Sequence, residues 1–268
     1  MRYLEGSVEL GNKDRQLLEI VATTNRITQL QLWEIAELKG IESDRKVFEW
    51  RVRRLANGGF LKRDRQPFLG SRVLYSITEN GICGLEIGGV YLLSVYVERK
   101  DDEVQRQVMH ALQLNRAHIA LLNAGVLQRW APAKDLAIIN KAGYRSYAKT
   151  YDAAATISVD RESFEIGIEY ERSLKSADKY EELRIKLESE DRADVILYLF
   201  SKAEIGTKLE WAFRKTKKDI VLARHEQFVA NPLEAPAVCR VLQTTLRQVL
   251  RNVATNRKSS HELNILPG

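Results

Sequence analysis

Asp152, Glu169 and Glu171 are the residues whose types and spacing could do chemistry. Asp152 stands just before an apolar run that reads as a strand, Ala153–Val159. Glu169 lies near the end of the next strand, Phe164–Tyr170, and Glu171 follows two residues on. Side chains alternate along a strand, so Glu169 and Glu171 share a face. Three carboxylates converging at one end of a sheet could hold Mg²⁺, which takes oxygen ligands and keeps several waters. A metal so placed could activate water against a phosphodiester. The same groups admit a second reading, an ion-pair network in which Glu169 and Glu171 meet Arg172, Lys175 or Lys179 without any metal. His110, His118, His225 and His261 make no zinc pattern with Cys83 or Cys239.

The elements that must position these carboxylates follow from periodicity. Residues 103–124 ("EVQRQVMHALQLNRAHIALLNA") predict a long helix with Val104, Val108, Leu112 and Ile119 at helical spacing, closed by Gly125. Strands are expected near Leu136–Ile139, Ala153–Val159 and Phe164–Tyr170, with a turn at Arg161–Ser163. A helix from Lys175 to Glu188, a buried strand Asp194–Ser201, a helix Gly206–Thr216 and a strand Ile220–Ala223 complete a mixed α/β sheet. The basic run Arg214–Lys218 ("RKTKK") reads as helix-dipole complement and solvated surface that could also touch phosphate. Ala237–Asn252 reads as a final amphipathic helix and Asn256–Gly268 as a frayed tail.

Charge is local. The chain of 268 residues carries a net charge of +6, and between Glu42 and Arg72 nine basic residues stand against four acidic ones, nearly the whole excess. Helices are expected over Asp14–Val21, over Thr28–Leu38 with Thr28 as N-cap, and from Ser43 as cap to about Asn57. Two period-two strands, "FLKRD" and "RVLYSI", follow around a loop with Pro67 and Gly70. Three helices and a β-hairpin make a winged helix-turn-helix. On its third helix Phe48, Val52 and Leu55 share the inward face, while Lys46, Trp50, Arg53 and Asn57 lie opposite, with Arg54 at the edge and Arg45 at the start. Those types suit a DNA groove: cations neutralise phosphate, arginine forks onto guanine and asparagine pairs with adenine. Lys62, Arg63, Arg65 and Arg72 on the wing would hold the backbone.

The helix–strand–strand–strand–helix–strand order, with an aspartate leading one strand and a glutamate in the next, resembles the PD-(D/E)xK nuclease superfamily. The resemblance implies Asp152 and Glu169 as metal ligands. That superfamily has a lysine two after the glutamate, where this chain has Glu171, so Lys175 or Lys179 would have to stand in. Together with the N-terminal elements, the run Glu169, Glu171, Arg172, Lys179 and Tyr180 resembles the replication-relaxation family over roughly residues 14–230. That family comprises plasmid and mobile-element proteins, including relaxosome accessory proteins.

The expected fold class is therefore α+β: a winged helix over 1–86, a linker and joining helix over 87–125, a nuclease-like α/β domain over 126–235, and a helix and tail over 236–268. The expected function is sequence-specific binding of double-stranded DNA in replication, mobilisation or transcriptional control, with a relaxase or other relaxosome protein as partner. The nuclease-like domain is expected to be inactive and to need no cofactor. The alternative is a Mg²⁺-dependent endonuclease using Asp152, Glu169 and Glu171, and a third reading is an adaptor that binds only proteins. The last helix could serve a homodimer or pack back on its own domain. No window approaches the roughly 18–20 apolar residues of a membrane helix. The N-terminus has acidic residues where a signal peptide needs an apolar core. Two solitary cysteines fit a reducing compartment, so a cytoplasmic location is expected.

Overall fold

A computed structural model describes residues 9–93, 104–143 and 146–263. The chain divides into two compact units, Met1–Ile119 and Ala120–Gly268. Among the described residues no helix is long and apolar enough to cross a membrane.

The first unit contains α1 (Asn12–Thr24), β1 (Ile27–Thr28), α2 (Gln29–Leu38), α3 (Arg45–Asn57), β2 (Leu61–Arg65), β3 (Val73–Ile77), α4 (Glu79–Ile87) and the start of α5 (Val104–Asn123). Its small sheet has the order β1-β3-β2, both pairings antiparallel. Thr28 caps α2 through a hydroxyl that accepts from the Gln31 N–H, and Thr78 caps α4 in the same way. The cap of α3 is Asp44 and not the expected Ser43: its carboxylate accepts from the N–H groups of Lys46 and Val47. A carboxylate there also meets the positive end of the helix dipole, which a serine does not. Leu17, Leu18, Ile35, Phe48, Val52 and Leu55 form the core. Two side-chain amides fix α5 on it, Gln31 Nε2 to the Leu112 carbonyl and Asn115 Nδ2 to the Arg26 carbonyl, both 2.8 Å. His118 is buried on that helix, and burial lowers its pKa to about 3, so it is held neutral. The expected linker segment Ile87–Val97 lies outside the described residues from Ser94 onward, and 88–93 form no strand.

The second unit is a seven-stranded sheet of order β10-β9-β8-β7-β6-β5-β4. Its strands are β4 (Leu127–Pro132), β5 (Ala153–Val159), β6 (Glu162–Glu171), β7 (Val195–Phe200), β8 (Ile220–Arg224), β9 (Ala237–Cys239) and β10 (Leu242–Thr244). The helices are α6 (Ala133–Ala142), α7 (Ala177–Glu188), α8 (Ala203–Phe213), α9 (His225–Ala230) and α10 (Leu246–Leu263). β4, β5 and β6 form an antiparallel meander, and β6, β7 and β8 run parallel, as crossovers through α7 and α8 require. One sheet face, with Ala154, Ile196 and Tyr198, packs against Leu136, Leu187 and Leu209 from α6, α7 and α8.

Three expectations fail here. Leu136–Ile139 is helix α6, not a strand, and the first strand of the meander is β4 before it. Pro132 sets up the helix start and Gly143, at φ +74°, ends it, while Leu136 and Ile139 at i, i+3 both reach the core. The β5–β6 turn is Asp160–Arg161, both at positive φ, rather than Arg161–Ser163. Ala237–Asn252 is not one helix, because Ala237–Thr244 forms the β9–β10 hairpin and α10 begins only after Thr245, whose hydroxyl accepts from the Gln248 N–H. The apolar residues there fit a helical period, but Ala237, Val238 and Cys239 find a strand partner in β8 that outweighs it.

The expected tail is helical through Leu263, and residues 264–268 lie outside the described ones. Of the two alternatives for the last helix, the one observed is packing on its own unit. Leu246, Val249 and Leu250 are buried. Arg247 and Arg251 hold the Asp160 carboxylate at 3.2 and 2.8 Å, Lys258 pairs with Glu162, and Arg257 pairs with Asp194.

Candidate functional site

Two places gather the chemistry-bearing residues, one in each unit. In the first, α3 buries Phe48, Val52 and Leu55 and leaves Lys46, Trp50, Arg53 and Asn57 exposed on the far face. Phe48 is seated edge-on against Trp33 of α2, with ring centroids 5.2 Å apart. Lys62, Arg63 and Arg65 of β2 and Arg72 before β3 are exposed as well. Arg45 is exposed and pairs with Glu49 one turn on.

Arg54 departs from the expected groove-facing role. Its guanidinium grips the buried carboxylate of Asp14, forty residues away in α1, and lies 5.3 Å from the centre of the Trp50 ring. Arg51 donates to the other Asp14 oxygen at 3.1 Å and to Glu42 at 3.3 Å, and Lys13 also reaches Glu42. Burial works to raise the Asp14 pKa. Bonds from Arg54, the Gly11 N–H and Arg51 overcome it and hold the carboxylate below its usual range. Two of the basic residues counted in the sequence thus lock α3 onto α1. An isolated buried carboxylate would be untenable in such a core, so the partners must be cations.

In the second unit, Asp152 lies at the entry to β5 and Glu169 and Glu171 at the exit of β6, the strand between β5 and β7. Tyr170 N–H donates to Asp152 Oδ2 at 2.9 Å and Asp152 N–H to Glu169 Oε1 at 3.3 Å, which ties the strand ends together. The parallel register sets Glu169 opposite Tyr198 and Glu171 opposite Phe200. Burial, and next the charge of Asp152, push the Glu169 pKa up to about 7 against the pull of Lys149. The Tyr198 hydroxyl is buried with no hydrogen-bond partner among the described residues. Burial and then the charges of Glu169, Glu171 and Asp152 raise its pKa well above the ordinary tyrosine value, so all three carboxylates lie within electrostatic reach of it.

Each glutamate already has an ammonium partner. Lys175 pairs with Glu171, and its N–H donates to the Tyr180 hydroxyl at 3.3 Å. Lys179 is exposed on α7. The partner of Glu169 is Lys149, at 2.7 Å, which the sequence reading did not single out. A lysine three residues before Asp152 was the available signal. Its loop is held by Glu190, whose carboxylate accepts from the Ala148 N–H at 2.9 Å and the Tyr151 hydroxyl at 2.7 Å. The Tyr151 ring lies on β6 at Gly167, where an added Cβ would come within 2.8 Å of it.

The donor set does not fit a ready Mg²⁺ centre. Among the described residues no three His, Cys, Asp or Glu side chains group to hold a metal ion. Asp152, Glu169 and Glu171 are neighbours, and two of the three pair with a lysine. Of the cations expected for an ion-pair network, Lys175 pairs with Glu171, and the partner of Glu169 is Lys149, which was not among them.

No family of known proteins matches the chain, and no curated protein does. Among solved structures it is similar to the restriction endonuclease FokI bound to DNA, at 10% identity and a TM-score of 0.26, over 86% of this chain and 45% of that one. The chain therefore spans less than half the length of that structure, and a likeness so slight says nothing of activity.

Proposed function

We propose that this chain binds double-stranded DNA through its N-terminal unit, read as a winged helix-turn-helix. One observation carries the reading: α3 buries one face and exposes Lys46, Trp50, Arg53 and Asn57 on the other. The exposed cations Lys62, Arg63, Arg65 and Arg72 of the hairpin beside it suit backbone phosphates. The C-terminal unit is read as a PD-(D/E)xK-type scaffold that does not cleave, because Glu171 stands where that superfamily has its lysine, two residues after Glu169. The resemblance of Glu169, Glu171, Arg172, Lys179 and Tyr180 to the replication-relaxation motif supports a role at a plasmid or mobile-element replication or transfer origin, or in transcriptional control. A relaxase or another relaxosome protein would then be the partner.

The test is selection of a duplex from a random pool by the full chain, followed by affinity against salt. Arg53→Ala is expected to weaken binding to the selected site by about 1–3 kcal/mol and to relax its sequence preference. Unchanged affinity removes α3 from the reading.

Mg²⁺-dependent cleavage is the second reading, favoured by the ammonium of Lys149 at 2.7 Å from Glu169. Nicking of supercoiled plasmid in Mg²⁺ or Mn²⁺ that is absent in Asp152→Ala establishes it. Plasmid that shifts on a gel and stays intact supports the first reading.

A further inference from the structure

The β9–β10 hairpin of the second unit turns through two residues, Arg240 and Val241, at φ +49° and +63°. A two-residue turn with both φ positive favours Asn-Gly, and a β-branched residue there is a rare and strained choice. Yet Val241 and Leu242 are 55% and 69% exposed, at the tip and on the edge strand of the sheet. Neither strain nor exposure serves the fold, which a glycine at 241 would satisfy better.

Beside the tip runs the basic loop that follows α8. Arg214, Lys215 and Lys217 are exposed on it. Arg240 ties tip to loop, donating to the Lys217 carbonyl and pairing with Asp219 at 3.0 Å. Lys218 donates to the Glu190 carbonyl, so its ammonium is also held near the loop. Trp211 is 60% exposed and carries the Arg214 guanidinium 4.3 Å from its ring centre. A shallow depression beside the hairpin is lined by Phe213, Ile220 and Val238 together with Arg214, Lys218 and Arg240. Glu210, Asp219, Glu188 and Glu181 stand against Arg214, Lys215, Lys217, Lys218, Arg240 and also Arg184, which pairs with Glu181 and Glu188; four carboxylates against six cations leave the surface positive by two.

An apolar hairpin tip flanked by anchored cations is the chemistry of a nucleic-acid groove contact. The cations neutralise phosphates on either side, and an apolar wedge enters the groove without a charge to desolvate. We infer that the Arg240–Leu242 hairpin tip and the Arg214–Lys218 loop form a second duplex-DNA contact surface, indifferent to base sequence. It shares with the reading above only the ligand, and the residues are separate.

The experiment uses the full chain and a random-sequence duplex of about 30 base pairs, with affinity read by fluorescence anisotropy over a salt series. Lys215→Ala with Lys217→Ala should lower affinity roughly 3–10-fold at 100 mM salt and reduce the salt slope by roughly two, the loss of two phosphate contacts. Val241→Gly with Leu242→Ser should weaken binding several-fold with the slope kept. Thermal unfolding of this same double variant should match the parent, because glycine relieves the turn and Leu242 is exposed, so a binding loss with an unchanged melting temperature is not a folding defect. Parental affinity and slope in both variants overturn the inference, all the more plainly if Arg53→Ala still weakens binding to the selected site. Loss in the hairpin variants with Arg53→Ala unaffected keeps this surface and overturns the N-terminal one. A parent chain with no salt-dependent affinity for duplex overturns both.

Discussion

Glu169→Gln should remove a pH dependence of stability that the wild-type chain carries. The folded-state pKa of Glu169 is raised from 4.5 to about 7 by burial and by Asp152. The folded chain therefore holds that proton more tightly than the unfolded chain does. The stabilisation is fully present below pH 4.5 and is lost as pH climbs through about 7. One pH unit is worth about 1.4 kcal/mol, so the span of 2.5 units corresponds to roughly 3–4 kcal/mol lost by pH 8. Glutamine keeps the oxygen that accepts from the Asp152 N–H and from Lys149, and carries no charge to repel Asp152. Roughly 1 kcal/mol of this is already lost at pH 5, so a variant that matches wild type there should exceed it by about 2–3 kcal/mol at pH 8. Calorimetry in EDTA across pH 5–8 should then show the variant melting about 4–8 °C above wild type at the alkaline end. Lys149→Met, which removes the opposing cation, should move the wild-type midpoint upward. Two melting curves that stay parallel from pH 5 to 8 would mean that Glu169 is ionised throughout and that water, not Lys149 and Asp152, sets its charge.

Two further outcomes are expected from contacts the sequence did not announce. Gly167→Ala puts a Cβ 2.8–3.0 Å from three Tyr151 ring atoms, and the ring is held by its hydroxyl on Glu190. A loss of about 1–3 kcal/mol follows from the overpacking, seen as a lower urea midpoint with an unchanged m-value. Asp14→Ala takes the carboxylate from Arg54, leaves Arg51 with Glu42 alone and removes an acceptor from the Gly11 N–H. It should cost about 3 kcal/mol, and Asp14→Asn should recover only part of that; a cost below 1 kcal/mol would show that water replaces the carboxylate.

The sequence by itself determined what depends on neighbours within a turn or two. The inward face of α3, the meander strands β5 and β6 and the shared face of Glu169 and Glu171 all follow from periods of 3.6 or 2, and the Thr28 cap follows from its hydroxyl at a helix start. Where two periods fit, the sequence misled, as at Leu136–Ile139 and Ala237–Asn252, because short apolar runs suit helix and strand alike. The pairing of charges was decided only by tertiary structure. Arg54 looked like a groove residue until Asp14, forty positions earlier, took it inward, and Lys149 gained meaning only when Glu190, forty-one positions later, fixed its loop beside Glu169. Local preference sets which face of an element is apolar. Which cation meets which buried carboxylate depends on the packing of distant elements, because an unpaired buried charge is too costly to leave and a long side chain can reach more than one partner.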